Sequence, residues 1–156
     1  MTLYFILKFL HVIGAAVLLG TGAGLAFFMV IAHLGRDAHV IAAVARIVVL
    51  ADFVFTATAV VAQPLTGIPL VSDMGYSLTD LWIASSIGLY VLTGCFWLPV
   101  VWMQMQMRAA ARTVAEGAPL PDRYHRLFRL WFWFGFPAFT AVLAIFWLMI
   151  TRPTHL

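Results

Sequence analysis

Charged residues are scarce in this sequence of 156 residues: they make up 10% of it, while hydrophobic residues make up 64%. Soluble domains contain about 25% charged residues, so a water-soluble globule could not bury this much apolar surface. Disorder is excluded as well, because disordered chains combine low hydrophobicity with high charge. The composition therefore indicates an integral membrane protein, whose first partner is the lipid bilayer.

Cysteine is nearly absent too. The single cysteine, Cys95, lies inside an apolar run, which excludes a disulfide framework or a cysteine metal cluster. The sequence also lacks a glycine-rich phosphate loop, a nucleophile elbow and an HExxH motif, so kinase and hydrolase functions of those types are excluded. A net charge of +3 does not indicate nucleic-acid binding, because the basic residues cluster at the ends of apolar runs. We therefore expect no nucleic-acid partner.

Four apolar stretches are long enough to cross a hydrocarbon core, which takes about 20 residues per helix. They predict an all-α fold: an integral membrane four-helix bundle that forms a single domain over residues 1–156. The predicted spans cover approximately residues 3–32, 40–63, 78–107 and 127–150. The segment from Pro64 to Ser77 is rich in turn residues and is predicted to be an external loop.

Basic residues predict the orientation of the spans, because lysine and arginine concentrate in short cytoplasmic loops. With four spans, Lys8 and Arg152 fall on the side of both termini, whereas six arginines fall on the side of the first and third loops. These six are Arg36, Arg108, Arg112, Arg123, Arg126 and Arg129. Both termini are therefore expected on the non-cytoplasmic side.

His11 lies inside the first span, where an ionisable side chain is costly unless it is partnered or functional. Gly14 and Gly22 follow it at helical spacing and leave room for a flat group, while Lys8 precedes it by one turn. This pattern is compatible with haem b, with His11 as the axial metal ligand and Lys8 close to a propionate. The alternative is a hydrogen-bonded histidine on a small-residue face that packs against a neighbouring helix.

Two other spans carry polar stripes at helical spacing, which predict a polar layer inside the bundle. The stripes are Asp52, Thr56, Ala59 and Gln63 on the second span, and Ser86, Tyr90, Thr93 and Trp97 on the third. We expect Asp52 and Tyr90 to handle protons as catalytic residues, and Thr56 and Ser86 to contact the cofactor. Interhelical hydrogen bonding is the structural alternative. The aromatic run from Trp131 to Phe136 is interpreted as an interfacial belt or as packing.

The motif Leu10-His11-Val12-Ile13-Gly14, then Asp52, Trp82 and the ending Met149-Ile150-Thr151-Arg152-Pro153 resemble a bacterial family of predicted integral membrane proteins. This family is known as domain of unknown function 2269. The resemblance spans essentially the whole chain. It implies a multi-pass protein of the bacterial inner (cytoplasmic) membrane.

The histidine motif and the Arg152-Pro153 ending are also similar, more distantly, to the four-helix haem-type protoporphyrinogen oxidases of bacteria. This resemblance implies haem b on His11. It also implies a cofactor-binding role for Arg152, which stands where those oxidases have a lysine. The lysine in the third span of the oxidases has no counterpart in Trp82-Ile83-Ala84-Ser85.

The leading hypothesis is a haem b membrane protein that transfers electrons or oxidises a lipophilic donor, such as a quinol or a porphyrinogen. No second histidine lies at the depth of His11, so the haem would be five-coordinate or take a ligand from a homo-oligomer or a larger membrane complex. The first alternative is a cofactor-free accessory or scaffolding subunit of such a complex. The second alternative is a small transporter or channel.

Overall fold

Four long helices make up the protein, and the computed structural model describes them over residues 2–115 and 118–153. The helices are α1 (Thr2–Gly35), α2 (Ala38–Asp73), α3 (Leu81–Arg112) and α4 (Asp122–Thr151), and each is long and apolar enough to cross a membrane. No strand occurs in these two ranges. The prediction of an all-α fold with four membrane-spanning helices is confirmed.

The helices alternate in direction because their connections are short. Between α1 and α2, Arg36 adopts a left-handed backbone conformation with a φ of 57°. The Asp37 carboxylate then caps α2 by accepting from the backbone N–H groups of His39 at 2.8 Å and Val40 at 3.2 Å. We call the end of the bundle with this turn the arginine-rich end; it also carries Arg112 and Arg123. The opposite end is called the terminal end.

Helix packing is strong around three sides of the bundle and weak on the fourth. Helix α3 packs along α4, α1 packs along α2, and the first half of α2 packs on α3. In contrast, α1 and α4 contact each other sparsely. The ring of helices is therefore weakly closed between α1 and α4.

The hydrophobic core fills the half of the bundle nearer the arginine-rich end. Its members come from all four helices, and several are fully buried. They are Leu25, Met29, Ala32, Ile41, Ala45, Val48, Met103, Met107, Ala111, Tyr124, Leu127, Phe128 and Trp131. This packing seals the arginine-rich half of the bundle.

The prediction that a loop begins at Pro64 is wrong. Helix α2 continues to Asp73, and the loop begins only after that residue. Proline has no N–H group, so Pro64 leaves the carbonyl of Val60 without its helical partner. The Tyr90 hydroxyl donates to this carbonyl at 2.6 Å. A proline is tolerated in a membrane helix when a neighbouring helix satisfies the freed carbonyl in this way.

A π-helical turn interrupts α2 over Asp52–Thr56, and the N–H of Ala57 donates to the carbonyl of Asp52. Such turns are rare and frequently occur at functional sites. The wider turn changes which side chains share a face. Val60, four residues after Thr56, lines the interior cavity described below, whereas Ala59, which belongs to the predicted stripe, is buried but does not line it.

Candidate functional site

A cavity of about 630 Å³ lies at the middle of the four helices. Residues 15–30 of α1, 52–63 of α2, 90–104 of α3 and 131–146 of α4 contribute to its wall, so it lies at about half the length of each helix. Small-molecule sites in proteins usually have volumes of about 300–1,000 Å³. The cavity is therefore large enough for a ligand within the membrane.

Most of the wall is apolar, and its two sides differ in character. Small side chains predominate on α1, and aromatic side chains on α4. The small ones are Ala15, Gly22, Ala23 and Ala26, and the aromatic ones are Trp131, Phe132, Phe136, Phe139 and Phe146. This combination of small and flat surfaces suits a molecule that is itself apolar and partly planar.

One part of the wall is polar and is built around Asp52, which is only 5% exposed. The indole N–H of Trp97 donates to the Asp52 carboxylate at 3.4 Å, and Thr56 and Gln104 lie beside the same carboxylate. Within residues 2–115 and 118–153, no lysine, arginine or histidine lines the cavity. An ionisable group at this depth without a basic neighbour marks a functional site by default.

Three buried polar atoms of residues that line the cavity have no hydrogen-bond partner among the described residues: Thr56 Oγ1, Gln104 Oε1 and Trp131 Nε1. Leaving a buried polar atom unpaired costs about 1–3 kcal/mol. Proteins therefore satisfy nearly all such atoms, and each exception requires an explanation. A polar group on a bound molecule would supply the missing partners.

The other polar groups of the wall are already engaged within the protein. Tyr90 holds α3 to α2 through its bond to Val60. The Thr93 hydroxyl donates to the carbonyl of Leu89 at 2.8 Å, and the Gln63 amide donates to the carbonyl of His11 at 2.9 Å. These groups position the wall, whereas Thr56 Oγ1 and Gln104 Oε1, near Asp52, have no partner among the described residues.

The cavity opens sideways, towards the surface that faces lipid. Phe27 of α1 is 61% exposed and Phe136 of α4 is 53% exposed, although both line the cavity. These residues belong to the two helices that contact each other sparsely. We infer that the cavity reaches the surface along the boundary between α1 and α4, which we call the α1–α4 seam.

His11 lies outside this cavity, at the contact between α1 and α2. Its Nδ1 is 2.9 Å from the Thr66 hydroxyl, and that hydroxyl donates to the carbonyl of Ala62 at 2.7 Å. A hydroxyl has one proton, so when Thr66 donates to Ala62 it accepts from an Nδ1–H group of His11. His11 is therefore bonded to Thr66, and not to Asp52 or Tyr90.

Glycines allow this close approach of α1 and α2. A Cβ atom added at Gly67 would lie 3.0 Å from His11 Cε1, and one added at Gly14 would lie 2.6 Å from Gln63 Nε2. Gly14 is thus a packing residue beneath Gln63. Gly22 has open space around it and lines the cavity.

Of the predicted site residues, Asp52, Thr56, Tyr90 and Gly22 share the cavity. Ser86 does not: it is buried, and its hydroxyl donates to the carbonyl of Trp82 at 2.7 Å.

Two predicted basic site residues, Lys8 and Arg152, contact aromatic rings outside the cavity. Lys8 is exposed, and its ammonium nitrogen is 5.5 Å from the centre of the Tyr4 ring. Arg152 places its guanidinium 6.0 Å from the ring of Tyr76 and 5.8 Å from that of Trp82. Its contacts connect the end of α4 to the start of α3.

Comparison with known protein families shows which family this chain belongs to. A family model described as "Predicted integral membrane protein (DUF2269)" matches residues 5–153. The chain belongs to the DUF2269 family. No curated protein and no solved structure matches it. The function of this DUF2269 protein must therefore be inferred from the chemistry of its cavity.

The sequence prediction missed two residues of the DUF2269 cavity, Gln104 and Trp131. A buried amide in an otherwise apolar span was a usable signal for Gln104, which is 3% exposed. Trp131 was interpreted as part of a belt or of the packing; it belongs to the core and also lines the cavity. In the part of the chain that the structure describes, no group of three or more His, Cys, Asp or Glu side chains is placed to hold a metal ion.

Proposed function

We propose that this DUF2269 protein binds a lipophilic molecule from the bilayer in its central cavity, with the polar end of that molecule at Asp52. Oxidation of a lipophilic donor, such as a quinol or a porphyrinogen, is the reaction that such a site would serve, with the electrons passing to a separate redox partner of the protein. Asp52 would then accept or return protons beside the bound molecule. Tyr90 would position the wall through its bond to Val60 and lie within reach of the ligand.

The observation that carries this proposal is the pairing of a large apolar cavity with buried polar atoms that lack partners. A cavity that only reflected loose packing would have no reason to keep Thr56 Oγ1 and Gln104 Oε1 without partners beside the buried carboxylate of Asp52, because buried unpaired polar atoms are costly. The α1–α4 seam supports uptake from lipid, since a lipophilic molecule could enter without crossing an aqueous phase.

Filling the cavity with a side chain tests the proposal. A Cβ atom at Gly94 meets nothing within 4 Å, and Gly94 lines the cavity, so Gly94→Phe places a ring where the ligand would lie. We expect the unmodified protein, purified in mild detergent, to retain a lipophilic molecule at about one per chain, and Gly94→Phe to retain less than a tenth of that amount. Organic extraction followed by mass spectrometry measures both.

Gly20→Phe is the matched control, because a Cβ atom at Gly20 also meets nothing within 4 Å but Gly20 does not line the cavity. This variant should retain the molecule as the unmodified protein does. Equal amounts of the same extracted molecules in all three proteins would contradict the proposal. That result would favour the alternative of a cofactor-free accessory or scaffolding subunit.

Haem b on His11 is a second candidate, favoured by the bond to Thr66. A proton on Nδ1 leaves Nε2 with its lone pair, and a hydrogen bond of this kind orients metal-binding histidines. The residues do not fit a haem inside the cavity, because His11 lies outside it and the lining, over the described residues, has no histidine, cysteine, methionine or lysine. A haem on His11 would therefore occupy a site separate from the cavity, where it would supply an electron acceptor.

An absorption spectrum tests this second candidate. If His11 ligates haem, protein purified from haem-replete cells shows a Soret band that His11→Ala removes. His39→Ala is the control, because His39 is exposed at the arginine-rich end, far along α2 from Thr66. A colourless unmodified protein, or a band that survives His11→Ala, would exclude His11 as the haem ligand.

The structure offers less support for a transporter or channel. The core side chains Met29, Ile41, Met107 and Tyr124 are fully buried and fill the bundle between the cavity and the arginine-rich end. Among the described residues, the cavity lining extends no further towards this end than Val30, Asp52, Gln104 and Trp131. A site that opens to lipid fits the binding of a lipophilic molecule better than the passage of an ion.

A further inference from the structure

Two of the unpartnered atoms in the cavity lining have opposite hydrogen-bonding roles. Gln104 Oε1 is an acceptor without a donor, and Trp131 Nε1 carries a proton without an acceptor. Gln104 precedes the end of α3 by about 12 Å and Trp131 follows the start of α4 by about 14 Å, at about 1.5 Å per residue. Gln104 is also the last residue of α3 that lines the cavity, and Trp131 is the first of α4, so both belong to the end of the cavity nearer the arginine-rich end.

Few polar groups satisfy both atoms. A ketone or ether oxygen only accepts, so it would pair with Trp131 and leave Gln104 unpaired. An ammonium group only donates, so it would leave Trp131 unpaired. A hydroxyl group both donates and accepts, and it can also pair with Asp52, which lies beside Gln104. The wall therefore selects a hydroxyl group over these alternatives.

The surroundings of this polar wall favour an aromatic ring that bears the hydroxyl. Trp131, Phe132 and Phe136 come from one stretch of α4 and line the cavity together. Aromatic side chains pack with rings in stacked or edge-to-face arrangements, worth about 0.5–1.5 kcal/mol beyond the area buried. An apolar tail on the ring would leave through the α1–α4 seam into the lipid.

We propose that the cavity takes a lipophilic phenol, with its hydroxyl between Gln104, Trp131 and Asp52 and its tail in the α1–α4 seam. This inference rests on the proposed function and narrows the ligand to one chemical class. Hydroquinones belong to this class, whereas the corresponding quinones, which only accept hydrogen bonds, do not. The site is therefore expected to bind hydroquinones more tightly than the corresponding quinones.

The test compares three probes that differ only in the group opposite the nonyl chain, which is a hydroxyl in 4-nonylphenol, a methoxy group in its methyl ether and hydrogen in nonylbenzene. Each is titrated into the full-length protein in detergent by isothermal titration calorimetry. We expect 4-nonylphenol to bind at least tenfold more tightly than the methyl ether, because methylation removes the donor that Gln104 requires. Nonylbenzene should bind no better than the ether.

The variant Gln104→Met removes the acceptor and keeps a side chain of similar length. It should weaken binding of 4-nonylphenol by about tenfold, the effect of one hydrogen bond of about 1.4 kcal/mol, and leave binding of the methyl ether unchanged. Gln106→Met is the matched control two residues along the same helix. Gln106 accepts from Arg123 at 2.7 Å and does not line the cavity, so this variant should bind all three probes like the unmodified protein.

The outcomes separate this inference from the function on which it rests. If all three probes bind saturably with equal affinity, or if Gln104→Met weakens them equally, the phenol inference is overturned while binding of lipophilic molecules stands. If none of the probes binds saturably, both are overturned. Binding of the ether and of nonylbenzene to Gln104→Met also shows that the variant is folded, so a loss confined to the phenol reports the lost acceptor.

Discussion

Replacing Tyr124 with alanine is expected to lower the free energy of unfolding by about 3–5 kcal/mol, as for other large aromatic side chains removed from a core. Tyr124 is completely buried and is the largest of the fully buried side chains. Its hydroxyl lies 3.2 Å from His33 Nδ1, and its ring stacks against that of Phe128. Alanine would leave a void where α1 and α4 meet at the arginine-rich end.

Tyr124→Phe separates the contribution of the ring from that of the hydroxyl. It keeps the ring and removes only the hydrogen bond to His33, so the expected loss is about 0.5–1.5 kcal/mol. Both values can be measured by reversible denaturation in mixed micelles followed by circular dichroism. A loss below about 1 kcal/mol for Tyr124→Ala would contradict the tight packing of the Tyr124 side chain in the core at this end.

Gly67→Ala is expected to disrupt the contact between α1 and α2 and to cost about 1–3 kcal/mol, the usual effect of overpacking. The added Cβ atom would lie 3.0 Å from His11 Cε1, so the ring has to move. Movement of the ring lengthens the bond from His11 Nδ1 to Thr66. Both the stability and any property that depends on the orientation of His11 should therefore change.

Gly20→Ala provides the comparison on α1, because nothing lies within 4 Å of a Cβ atom at Gly20. It should be neutral or slightly stabilising, since alanine is the better helix former. The two variants can be compared by thermal unfolding of the purified proteins. Equal stability of Gly67→Ala and the unmodified protein would mean that α1 and α2 are further apart at this position than the structure shows.

The fold could be predicted from the sequence because hydropathy alone specifies membrane helices. Four long apolar runs need four spanning helices, since backbone polar groups in lipid must be satisfied within each helix. The end of α2 could not be predicted in the same way. Pro64 indicates a break by its local properties, and only the hydroxyl of Tyr90, 26 positions further along, compensates for the freed carbonyl of Val60.

The candidate site was predicted only in part. Asp52, Thr56 and Tyr90 were identified because polar groups in apolar spans are conspicuous, and the structure brings them to one cavity. His11 was identified for the same reason, yet its place at the contact with Thr66 depends on how α1 packs against α2. Periodicity within one helix indicates a face, but it does not specify which neighbour that face meets.

The sequence by itself determined that this protein lies in a membrane, that it has four spans, and which polar side chains those spans must bury. These properties depend on composition and on local hydropathy. Only the tertiary structure decided where those side chains meet, because the cavity takes its wall from all four helices and forms where α1 and α4 are weakly closed. Such packing depends on contacts between residues far apart in the chain, and no local pattern in the sequence encodes them.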